Sequence, residues 1–172
     1  MRTIPDPGFA GDDGSVPSEV AAALAAYDRA PGPAVRAHRD ALAVLQRARL
    51  LVPVVAVLGE VEHDEQGLAH DKTSDMATVL MQGRDGRMAL LAFTGTEPLR
   101  RWNPEGRPVP VSVPDAARAA VHDGAAALLV DVAGPVRFVV EGDDLRALAD
   151  GFTLAELAGR HAWVKPQEQN PS

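Results

Sequence analysis

His63, Asp64, Glu65, His70 and Asp71 form the densest set of metal-ligand types in the chain. Imidazoles and carboxylates suit zinc or a harder cation. No i, i+4 pair fixes two of these residues on one helical face, however. The stretch from Glu60 to Asp75 reads as an acidic loop, and such loops are usually solvated, so no metal is expected. A hydrolytic triad needs a hydroxyl held on a rigid turn with a base in reach. Ser15, Ser18 and Ser172 lie near the ends, and Ser112 falls in a strand pattern without a nucleophile elbow. Ser74 follows His70 and Asp71, but no motif joins them. His38, His122 and His161 read as ordinary helical or surface histidines. Gly83-Arg84-Asp85-Gly86-Arg87 has neither Rossmann spacing nor a P-loop ending, and Lys72-Thr73-Ser74 is only a fragment of one. The expectation is a chain with no catalytic residue and no cofactor, not an enzyme.

The stretch Phe93-Thr94-Gly95-Thr96-Glu97-Pro98-Leu99-Arg100-Arg101-Trp102 is the most unusual. It puts an aromatic strand end, two hydroxyls and one of two tryptophans beside a helix start. In the packing reading, Phe93, Leu99 and Trp102 seat a small helix on a sheet, with Thr96 as its cap. In the binding reading, Phe93, Thr94, Thr96, Trp102 and Arg107 line a groove for a small molecule, as a binder or a cryptic enzyme, or for an anion at the helix N-terminus. These five are the candidate binding residues.

The elements that would position them follow from periodicity. Val20, Ala23, Leu24 and Tyr27 make one helical stripe over 18–29, with Ser18 as N-cap. A second helix is predicted over about 34–48, after Pro31-Gly32-Pro33. Leu50 to Leu58 is a continuous apolar run, hence a buried strand. Pro53 cannot donate a hydrogen bond, which marks an edge, a bulge or a strand start. Asp85-Gly86 predicts a type I′ hairpin between 76–82 and 87–93, placing Met81 opposite Leu90 and Thr78 opposite Phe93. Later come a strand at 108–113, a helix at 114–123 closed by Gly124, and strands at 125–132 and 136–141. That last pair sets Asp131 opposite Arg137 as an ion pair. A final helix is capped by Asp143 and runs to Asp150. Two helices followed by irregularly mixed strands and short helices predict an α+β fold. Its sheet would be mostly antiparallel or mixed, of about five to six strands. The domain expectation is a flexible arm over 1–16, one domain over 17–163 and a frayed tail over 164–172.

Composition narrows the function classes. With 46% apolar residues but only 4% aromatic, the core must be built from Val, Leu and Ala. A net charge of −7 argues against nucleic acid and anionic membranes as partners. There is no cysteine, which removes disulfides and thiol chemistry and fits a cytoplasmic location. No apolar run is long enough to span a bilayer. A soluble domain with a protein partner is the leading expectation, and nothing in the sequence sets its oligomeric state.

Several stretches together resemble a known family. They are Leu51-Val52-Pro53-Val54-Val55, Lys72-Thr73-Ser74-Asp75-Met76-Ala77, Ala92-Phe93-Thr94-Gly95-Thr96, Trp102-Asn103-Pro104, Arg107-Pro108-Val109-Pro110-Val111 and Leu129 through Val136. The arm Ile4-Pro5-Asp6-Pro7-Gly8-Phe9 fits as well. The chain thereby resembles the SseB-type N-terminal domain family, in the form found in high-GC Gram-positive bacteria. Gly95 stands where family members often carry Ser. The resemblance implies a compact α+β domain and carries over no catalytic residue.

Overall fold

A computed structural model describes residues 9–58, 62–63, 69–70 and 74–166. Its helices are α1 (Ser18–Arg29), α2 (Val35–Leu45), α3 (Thr96–Trp102), α4 (Val113–His122) and α5 (Gly142–Ala149). Its strands are β1 (Arg49–Leu58), β2 (Glu62–His63), β3 (Ala69–His70), β4 (Ser74–Thr78), β5 (Leu80–Gln82), β6 (Met88–Ala92), β7 (Arg107–Ser112), β8 (Ala127–Val130), β9 (Phe138–Glu141), β10 (Thr153–Leu157) and β11 (Arg160–Val164). This is the α+β class, opening with two helices. The side chains of His63 and His70, and all of Asp64, Glu65 and Asp71, lie outside the described residues, as do 1–8 and 167–172.

Two ladders make the main sheet. One runs β4-β1-β7 and is antiparallel. The other runs β5-β6-β8-β9, with β6 and β8 parallel and the outer pairs antiparallel. They meet at Leu51 and Phe93, which exchange backbone hydrogen bonds of 2.7 and 2.9 Å. Pro53 therefore sits in a central strand. Alternate residues of a strand direct their backbone groups to the same side. Pro53 thus shares the Leu51 side, at the point where the neighbour changes from Phe93 to Thr78, which pairs with Val54. A missing N–H is tolerated at that junction.

The two faces of the sheet are covered unequally. Leu50, Val52, Leu90, Ala92, Leu128, Val130, Phe138 and Val140 point to one face. There they pack under α1, α2, α4 and α5, through residues such as Leu24, Leu42, Ala117 and Leu148. Each Leu or Val buried there contributes on the order of 1.5–3 kcal/mol. The opposite face carries Leu51, Leu91 and Phe93, capped by Leu99 and Trp102 of the seven-residue α3.

Several local expectations are corrected. Met81 pairs with Ala89, one residue short of Leu90. Only Gly86 takes a left-handed φ, of 81°, and Gly83 N–H closes the loop on Arg87 O at 2.8 Å. A type I′ turn needs two such residues, so a three-residue loop forms instead and the register slips by one. Thr78 pairs with Val54 because the chain leaves β6 at Val79 and joins β1 as β4. Thr96 is the first residue of α3 and Gly95 its N-cap. Ser18 and Asp143 make no capping bond either, the N-caps being Pro17 and Glu141. Helix α2 ends at Leu45 and gives way to a turn. Part of the stretch expected as a loose arm is bound to the body, since Asp12 and Ser15 accept hydrogen bonds from Arg49. The hairpin β10–β11 was not foreseen, and it is tied to α2 through Gln46.

Candidate functional site

The strand end at Phe93 and Thr94 is set by β6, and α3 begins at once because Gly95 and Thr96 turn the chain. Phe93 is fully buried, its ring 5.6 Å from that of Trp102. Thr94 is buried too. Its hydroxyl donates to Asp131 Oδ2 at 2.7 Å and its backbone N–H donates to Asp131 Oδ1 at 2.9 Å. The Thr96 N–H, at the start of α3, donates to Gly14 O at 2.7 Å. Arg107 is exposed at the start of β7, opposite Val54. Of the five candidate residues, Phe93 and Trp102 meet in one apolar cluster, Thr94 gives both its donors to Asp131, and Thr96 gives its backbone N–H to Gly14 O. None of the five lines either of the two clefts described below.

Asp131 is the principal residue that sequence reasoning placed wrongly. The expected register holds, with Val130 opposite Phe138. Asp131 itself takes φ 53° and turns inward to Thr94, not outward to Arg137. Burial pushes its carboxyl up to about 6, against the opposing pull of the Thr94 hydrogen bonds and the Arg101 charge. Thr94 O in turn accepts from Arg49, whose buried guanidinium also holds Asp12 at 2.6 and 3.0 Å and Ser15 O at 2.8 Å. The arm, the start of α3 and the end of β8 are thereby tied into one network. Every polar group in it has a protein partner, which suits a structural lock better than a reaction centre.

Beyond α3 the same sheet face is open among the described residues. Met81, Ala89, Ala127 and Glu141 stand side by side across β5, β6, β8 and β9. The next row holds Leu91, Leu129 and Val139. Two alanines at the centre of a row flanked by larger side chains leave a trough of about 390 Å³. At its end Arg87 donates to Asp85 at 2.6 Å and to Glu141 at 3.1 Å.

A second cleft, of about 590 Å³, lies between the α1–α2 connection and β9. His38 stacks on Phe138 with centroids 4.5 Å apart, and Val139 O lies 2.7 Å from its Nε2. A carbonyl can only accept, so Nε2 carries a proton. This contact also occupies an acceptor on the edge strand β9, which opposes pairing with a further strand. Tyr27 meets both rings edge to face. The helical stripe signalled Tyr27, but nothing local marked His38.

Among the described residues no cluster of three or more His, Asp or Glu could hold a metal, and no helix is long and apolar enough to cross a membrane. The family model of the SseB protein N-terminal domain matches residues 20–147. The match runs from α1 into α5 and leaves the β10–β11 hairpin outside it. No curated protein and no solved structure matches the chain.

Proposed function

The chain belongs to the SseB protein N-terminal domain family, and from that premise we propose that it is a non-enzymatic, cytoplasmic protein-binding domain that docks its partner on the open sheet face. The observation that carries this reading is the Ala89–Ala127 trough, an apolar floor between Met81 and the Arg87–Glu141 ion pair. Interfaces commonly combine such a floor with a charged rim. The absence of Cys and the acidic net charge support a cytoplasmic, non-nucleic-acid role. The other reading, a small-molecule or anion site at Phe93–Trp102, has less support, because Phe93 and Thr94 are buried and Asp131 takes both donors of Thr94.

A photo-crosslinking residue at position 89, and separately at position 118 on the exposed outer side of α4, tests the reading in the native cell. A discrete adduct from position 89, absent from 118 and lost when Leu129→Glu is added, is the expected result. No adduct, or the same adducts from both positions, would overturn it.

A further inference from the structure

The cleft beside β9 has features that the docking face does not use. Its volume of about 590 Å³ falls in the range of small-molecule sites. Its aromatic wall is braced before any ligand arrives. His38 is held by its stack on Phe138 and its hydrogen bond to Val139 O, and Tyr27 is wedged against both rings. Such preorganisation lowers the ordering cost of binding. Pro33 and Val139 add apolar surface.

Charge then selects the class of ligand. Asp28, Glu141 and Asp144 line the cleft against Arg39 alone. Glu141 is engaged by Arg87 at 3.1 Å, and Asp144 accepts from Trp163 Nε1 at 3.2 Å with one of its two oxygens. An anion entering here would face a surplus of carboxylates. A cation would meet that surplus together with an aromatic side chain, both attractive to it.

We propose that this cleft binds a small organic ammonium compound, its apolar body against Tyr27, Pro33 and Val139 and its charged end toward Asp28 and Asp144. The test is an NMR titration of the full chain with phenethylammonium, with neutral phenethyl alcohol and anionic phenylacetate as matched probes. Saturable shifts at Tyr27, His38 and Val139 with the ammonium, and weaker binding of the other two, are expected. Asp28→Asn lies on the exposed side of α1 and should leave the fold intact while weakening the ammonium about tenfold, or 1.4 kcal/mol. Asp144→Asn keeps an oxygen for Trp163 and should act in the same direction. Equal binding of phenylacetate, shifts that never saturate or lie elsewhere, or unchanged affinity in both variants would overturn the proposal. The crosslinks from position 89 do not depend on any of these outcomes.

Discussion

Asp131 accepts both hydrogen bonds that Thr94 can donate, one from the hydroxyl at 2.7 Å and one from the backbone at 2.9 Å. A residue at the end of β8 is thereby locked to the start of α3 in a fully buried site. The arrangement satisfies Thr94 but keeps a carboxyl out of water, and burial dominates, raising its pKa from 3.8 to about 6.

The first prediction follows from that shift. Between those two values the folded chain holds a proton on Asp131 that the unfolded chain has released. Stability must then fall as pH rises through the window, by about 3 kcal/mol in full. Asp131→Asn keeps an oxygen for the Thr94 N–H and removes the titration. Its urea midpoint, followed from about pH 4 to 7, should lose this downward slope and equal or exceed that of the parent at pH 7. Comparing the two proteins removes the opposite contribution of Asp12, Asp85 and Asp115, whose pKa values are lowered by Arg49, Arg87 and Arg118, present in both. Parallel pH profiles for the two proteins would show that burial does not raise the pKa of Asp131.

A second prediction concerns Arg49, which crosses from β1 to the arm. Its side chain is 8% exposed and donates to Asp12, Ser15 O and Thr94 O. Arg49→Met leaves those acceptors without their donor and should cost about 3–5 kcal/mol. Asp12→Asn leaves the two carbonyl contacts in place and should cost about 1–2 kcal/mol. Limited proteolysis should cut between residues 9 and 16 in Arg49→Met well before it cuts the parent. Equal resistance would mean that Arg49 does not hold the arm.

Gln46 carries the third. Its side-chain amide donates to Leu154 O at 2.7 Å and accepts the Leu154 N–H at 2.7 Å, as a neighbouring strand would. A two-stranded hairpin is marginal by itself, so β10–β11 relies on this contact and on packing of Leu154 and Trp163. Gln46→Leu should cost about 2–4 kcal/mol, because both buried Leu154 groups lose their partner. Hydrogen exchange should quicken at residues 153–164, Leu154 most of all, with β6 and β8 little changed. Uniform acceleration across the chain would indicate a global effect instead.

These contacts mark where the sequence stops being legible. The stripe Val20, Ala23, Leu24, Tyr27 is local, and α1 lies where it points. Asp85-Gly86 located the hairpin, but a dipeptide does not distinguish a two-residue loop from the three-residue loop that sets the register. Gln46 and Leu154 are 108 residues apart, His38 and Val139 are 101 apart, and Thr94 and Asp131 are 37 apart. No period or motif links such pairs, since their partnership depends on how elements stack. The Phe93–Trp102 stretch itself signals the passage from sheet to helix, with Phe93 bridged to Leu51 just past β6 and α3 starting at Thr96. The trough and the aromatic cleft arise from rows of side chains across four strands and from a helix connection meeting β9. One-dimensional spacing does not encode either.

The last prediction tests the close approach of the arm to α3. Gly95 has φ −169°, an extended conformation open to any residue, so the constraint is space alone. A Cβ there would lie 2.7 Å from Val16 Cγ2, 2.9 Å from Val16 N and 3.0 Å from Gly14 O. The first contact could be relieved by rotating a side chain, but the other two are backbone. Those backbone atoms are held because Gly14 O accepts from Thr96 N at 2.7 Å. Gly95→Ser should therefore cost about 1–3 kcal/mol here. Adding Val16→Ala should recover only part of that loss, because the backbone contacts remain. Full recovery in the double variant would place the whole obstruction on the valine side chain and leave the backbone of the arm free to shift.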